Sequence, residues 1–131
     1  MKKTLIWPAI GVLFFILVFT TLRPVHIPDN PEELLVDSGR VIAIHEGGEN
    51  DVVFRLENNK TRYYINRGLE YGLVLEDLQR DLIGNDITIR YPKHWTLLDP
   101  SNRIKHMSIL EHNGQELFNE IDLIKESRRK S

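Results

Sequence analysis

Nineteen consecutive residues near the start of the chain, Thr4 to Leu22, include no ionisable side chain, and twelve of them are Leu, Ile, Val or Phe. As a helix rising about 1.5 Å per residue, such a run is roughly 28 Å long, close to the hydrocarbon thickness of a bilayer. Its large apolar side chains each favour insertion by about 0.3–0.6 kcal/mol near the helix centre, roughly 4–7 kcal/mol together. A soluble core helix is rarely apolar on every side for this length. A cleaved signal peptide is the nearer rival, but its apolar core is usually about 7–15 residues long. Thr20-Thr21-Leu22-Arg23 also lacks the small residues of a cleavage site. The expectation is an uncleaved signal anchor over residues 4–22. Lys2, Lys3 and the α-amino group resist translocation. They should hold residues 1–3 in the cytoplasm and send the rest to the periplasm or the cell exterior.

Three of the seventeen basic residues flank the apolar run, leaving fourteen against nineteen acids, a balance of −5 for the remainder. That field repels phosphate backbones and anionic lipids, so nucleic acid is not an expected partner. The chain has no cysteine, which excludes a disulfide framework and lipoprotein processing. Pro24, Pro28 and Pro31 make residues 23–37 an extended linker, able to hold a domain up to roughly 40 Å from a bilayer, with docking of its end through Leu34, Leu35 and Val36 as the alternative. One small domain then spans residues 38–124, and a basic tail, 125–131, is expected to fray.

Within the domain, Val41–Glu46 and Asp51–Glu57 alternate with the period of half-buried strands, joined by a turn at Gly47-Gly48-Glu49-Asn50. Asn58-Asn59 signals a hairpin into a third strand, Thr61–Asn66. Leu75, Leu78, Leu82 and Ile83 then recur at helical spacing, with Glu76 and Asp77 in the first turn and Gly84 as the stop. Val74 stands where a capping side chain is wanted. Asp86–Tyr91 is the next strand, Pro92–Asn102 a long loop, and Ile104–Glu111 another strand. Asn113-Gly114 turns the chain into a short strand near Glu116–Phe118, and Leu117, Phe118, Ile121 and Ile124 also suit an amphipathic tail helix, so a helix or a frayed end follows. Three strands, a helix, then two or three strands is the order of an OB-like small barrel with five or six strands. The predicted fold class is mainly β with one short helix after the transmembrane helix, with an SH3-like barrel or an α+β roll as alternatives.

The run Tyr63-Tyr64-Ile65-Asn66-Arg67-Gly68-Leu69-Glu70, then Leu75-Glu76-Asp77-Leu78, then Gly84-Asn85-Asp86-Ile87-Thr88-Ile89-Arg90-Tyr91 resembles a group of small uncharacterised bacterial single-pass membrane proteins. The resemblance covers about residues 38–118. It implies an N-terminal membrane helix followed by a compact OB-like, β-barrel domain, and it assigns no activity and no functional residue.

The candidate binding residues are Tyr64, Arg67, Trp95, Gly47 and Gly48. In a strand, Tyr63 and Ile65 share one side and Tyr64 the other, so one tyrosine is core and the other is free to stack on a ligand. Arg67 suits a phosphate or carboxylate, although Asn66-Arg67-Gly68 also reads as the turn out of the strand, with Gly68 at positive φ. Trp95 serves either as a loop contact or, given the area an indole buries, as core. His45, His94, His106 and His112 show no metal-ligand spacing, so no metal and no cofactor is expected. Ser38, Ser101 and Ser108 lack a nucleophile-elbow context, and no two acid–base groups are placed together by spacing. These readings favour a membrane-anchored, non-catalytic interaction or scaffolding module of the bacterial cell envelope, with an envelope or membrane protein as partner. A small-ligand or glycan-binding domain is the alternative, and an enzyme the third.

Overall fold

The computed structural model describes residues 3–131; the expected cytoplasmic positions Met1 and Lys2 lie outside the described residues. Helix α1, Lys3–Thr21, carries Pro8 near its start, where few backbone bonds are lost. None of its Thr4–Thr21 stretch is buried, and among the described residues it is the one helix long and apolar enough to cross a membrane. The hydroxyls of Thr20 and Thr21 donate back to the carbonyls of Ile16 and Leu17 at 2.9 and 2.6 Å, so its polar groups need no solvent.

Seven strands follow: β1 Leu35–Glu46, β2 Val52–Leu56, β3 Arg62–Ile65, β4 Asp86–Tyr91, β5 Ile104–His106, β6 Ile109–His112 and β7 Gln115–Asn119. Helix α2, Leu75–Leu82, lies between β3 and β4, and helix α3, Glu120–Lys130, closes the chain. The strands form one mixed sheet in the order β5-β3-β2-β1-β4-β6-β7. Strand β1 is long enough to serve two neighbours. Its first half, Leu35–Arg40, pairs with β4, and its second half, from Val41, pairs with β2 across a register shift after Val41.

Three expectations change. The strand expected over Ile104–Glu111 is broken at Met107-Ser108, both fully buried. The Met107 amide donates to Tyr64 of β3 and the Ser108 amide to Arg90 of β4, so the two halves belong to different ladders. The result is a mixed seven-stranded sheet in open order rather than a closed five- or six-stranded barrel. Second, α3 joins α2, so the domain has two helices and not one; Asn119 caps α3 by accepting from the Asp122 amide at 3.2 Å. Third, the proline-rich stretch is not a free stalk. Leu34 is buried with Ile109 and Ile121, Ile27 packs on the same cluster, and β1 already begins at Leu35.

The main core forms where the alternation puts it. Val52, Phe54 and Leu56 of β2 are buried, as are Tyr63 and Ile65 of β3, and Leu78 and Leu82 bring the apolar side of α2 onto them. Gln79 ties α2 down by donating to the Ile44 carbonyl at 2.8 Å. Gly84, at φ +85, ends the helix in the left-handed region that costs glycine little.

Candidate functional site

The side of the sheet that faces away from the core is built by register. His45, Val53, Tyr64 and His106 line up across β1, β2, β3 and β5, and the neighbouring row runs Ala43, Arg55, Arg62 and Ile104. Tyr64 is half-buried, while Arg55, Arg62 and Ile104 are exposed. The turn between β1 and β2 rises at one end of these rows and encloses an open groove of about 480 Å³. Gly47, Gly48, Asp51, Val53, Arg62 and Tyr64 contribute to its walls. A Cβ on Gly47 would stand 3.0 Å from Val53, so glycine lets the turn lie close over the strand.

Tyr64 is the shared wall. It also borders a second groove, of about 410 Å³, between the end of α1 and the loop after β4. Its ring meets the His106 ring edge-on, with centroids 5.3 Å apart. Burial, followed by the carboxylates of Asp51 and Glu120, holds its phenol above the ordinary value. Arg55 and Arg62 face each other directly across β2 and β3. Among the described residues neither has an ion-pair partner. Two like charges placed opposite each other oppose pairing and attract an anion.

The structure thus brings Tyr64, Gly47 and Gly48 together and leaves Arg67 and Trp95 apart from that groove. Arg67 is exposed but occupied: its guanidinium is paired with Glu70 and its amide donates to Asp51 at 2.7 Å. It also takes the left-handed conformation (φ 53) expected for Gly68. Gly68 is needed for space instead, because a Cβ there would come within 2.9 Å of Ile65. Trp95 is 53 % exposed, so it is not core; its indole Nε1 donates to the Pro100 carbonyl at 3.2 Å.

Sequence spacing missed two clusters. His106 Nε2 lies 2.6 Å from a Glu120 carboxylate oxygen, and Ser108 Oγ donates to the same oxygen at 3.0 Å. Because serine and imidazole meet one carboxylate rather than each other, no nucleophile–base relay is formed. The arrangement is a clamp that fixes the start of α3 to the break between β5 and β6, reinforced by the Glu120 amide on the Ser108 carbonyl. The second cluster joins the Tyr63 hydroxyl to Asp37 and Asn59, with the Lys105 ammonium 3.7 Å from Asp37 and 3.2 Å from the Tyr91 hydroxyl. The capping residue Asn119 before Glu120 is a sequence signal that could have pointed to the first, and nothing in the spacing marked the second. Among the described residues no group of three His, Asp or Glu side chains is arranged to hold a metal.

Compared with protein-family models, curated proteins and solved structures, the chain matches none.

Proposed function

We propose that the protein is a membrane-tethered, non-catalytic binding module of the cell envelope, with α1 as the anchor, its N-terminus cytoplasmic and the sheet domain outside the cytoplasm. Its contact surface is the outer side of β2, β3 and β5, and its partner is an envelope or membrane protein presenting an acidic segment. The observation that carries this reading is the unpaired Arg55–Arg62 couple beside Tyr64, bordered by a groove that no side chain of this chain fills. Charges left without partners on a flat strand surface favour contact with a second molecule over stability of the first.

The finer fold reading is OB-like. It is supported by a first strand shared between two neighbours, a helix between β3 and β4, and the parallel pairing of β3 with β5. In OB folds the surface of the second and third strands, between two flanking loops, is the usual place for a ligand.

A photo-crosslinking residue at Tyr64 in the full-length protein, in native membranes, should give a discrete adduct. The same residue at Glu76, on α2, should not give it, and the double charge reversal Arg55→Glu with Arg62→Glu should abolish it. Labelling that is equal at both positions, or insensitive to the reversal, would sink the reading. The second reading, a small anionic ligand or glycan, draws on the half-buried Tyr64 ring at the groove wall. It would give saturable quenching of tyrosine emission by the free ligand and no protein adduct.

A further inference from the structure

We infer that the loop between β4 and β5, residues 92–103, docks on the surface of the same bilayer leaflet from which α1 emerges, with Trp95, Leu97 and Leu98 seated among the lipids. The inference rests on α1 being a bilayer anchor, the reading given above.

Four observations carry it. The loop holds a concentrated set of exposed apolar side chains: Trp95 and Leu97 are 53 % and 45 % exposed, Leu98 is 72 %, and Ile104 just beyond is 53 %. Leucines and a tryptophan left uncovered together on a small domain are a contact surface in want of an apolar medium.

Second, the loop lies at the lipid exit of the helix. Leu22, Arg23, Pro24 and Val25 form one wall of the groove whose other wall includes Leu98 and Ile104. Ile27 is already packed on the domain, so five residue-to-residue steps lead from Leu22 to a fixed point. Five steps reach at most about 18 Å, so the domain stays within that distance of the helix end, near enough for the loop to meet the headgroups.

Third, several of the loop's polar groups bond to one another, or to Ile104 just after it, rather than to a partner elsewhere. The Trp95 indole N–H is taken by the Pro100 carbonyl, and the Leu98 amide by the Thr96 hydroxyl. Asp99, the one acid of the loop, accepts from the Ile104 amide at 2.7 Å and from the Ser101 hydroxyl. Burial opposes ionisation of Asp99, but the amides of Ile104 and Arg103 and the Ser101 hydroxyl outweigh it and hold its carboxyl below the ordinary range. Each polar group paired within the loop lowers the cost of bringing its apolar tip into an interface, and indole rings favour that depth.

Fourth, the charges at its base have the sign for lipid phosphates. Lys93 and Arg103 bracket the loop and Arg23 stands beside it. A protein partner on the same loop would have to fit between the domain and the headgroups, so the leaflet is the occupant the geometry favours.

The chain holds two tryptophans, Trp7 in α1 and Trp95 in the loop, which makes the test internal. Full-length protein is reconstituted in vesicles of brominated phosphatidylcholine, with and without phosphatidylglycerol. Trp7→Phe leaves Trp95 as the reporter, and Trp95→Phe leaves Trp7. Both single-tryptophan chains should lose emission to the bromines relative to unbrominated vesicles. Quenching of Trp7 without quenching of Trp95 would overturn the docking of the loop and leave the anchor standing. Quenching of neither would overturn the anchor and, with it, this inference. Leu98→Asp in the Trp95-only chain should relieve the quenching, and in the Trp7-only chain should leave it unchanged. A Trp95 quenched as strongly with Leu98→Asp as without would mean that the tether alone brings it to the lipid, and would also overturn the inference.

Discussion

Tyr63 and Tyr64 are neighbours in sequence and opposites in role. The alternation of a strand sends Tyr63 into the core and Tyr64 to the outer surface, and that division was readable from period two alone. What could not be read is how each hydroxyl is satisfied. Tyr63 reaches across the fold to Asp37 of β1, twenty-six residues away, and accepts from Asn59 at 3.1 Å. Burial first, then that bond to Asp37, raises its phenol well above the ordinary value of 10.0. The folded state therefore binds this proton more tightly than the unfolded chain. Its contribution is complete below pH 10.0 and declines as pH rises above that value. Unfolding of the full-length chain in detergent, followed across alkaline pH, should show a falling stability that Tyr63→Phe flattens. The same substitution should cost about 0.5–1.5 kcal/mol at neutral pH. An alkaline slope identical in the two chains would refute the assignment.

Elements were legible to the extent that their own residues define them. Strand β2 and helix α2 follow directly from Val52-Phe54-Leu56 and from Leu75-Leu78-Leu82, because each pattern matches one period and one buried side. The break at Met107-Ser108 was not legible: two adjacent buried residues violate alternation, and only the separate partners Tyr64 and Arg90 explain it. Trp95 misled by its size, since a ring that belongs in a core was weighed without knowing that the loop would satisfy its N–H. Two consequences belong at this level. Val74 sits at the N-cap of α2 with extended backbone (φ −108, ψ 118) and makes no side-chain cap bond. Val74→Asp should therefore raise stability by about 1 kcal/mol in a urea titration, because it supplies an acceptor for an otherwise free amide and an acid beside the helix dipole. Glu120 works in the other direction. Glu120→Ala strips His106 and Ser108 of their shared acceptor and should cost about 1–3 kcal/mol. Hydrogen exchange should quicken along α3 more than in β2, with Glu120→Gln recovering part of the loss. Uniform acceleration across the sheet would contradict a clamp confined to one helix.

At the scale of the whole molecule, the second apolar cluster matters more than its size suggests. Leu34, Ile109 and Ile121, with Ile27 against them, join the segment after α1, the sheet and the last helix in one contact. The Arg128–Asp29 pair at 3.0 Å adds a surface tie between the same two segments, worth little alone because both groups are exposed. Composition announced a proline-stiff spacer; packing turned most of it into part of the domain. Ile27→Asp should release it. On the proposal that α1 is a bilayer anchor, a donor dye on the domain and an acceptor in the bilayer should then report less energy transfer, as the freed segment lengthens from at most about 18 Å towards roughly 40 Å. Unchanged transfer would mean that the cluster does not set the standoff.

That same tie between Asp29 and Arg128 has a practical corollary. The segments that lead into and out of the sheet domain run near each other, close enough for the Arg128 side chain to reach that of Asp29. A segment with such neighbouring ends can be spliced into a surface loop of an unrelated host, or have its own ends joined and new ones opened elsewhere, without stretching either junction.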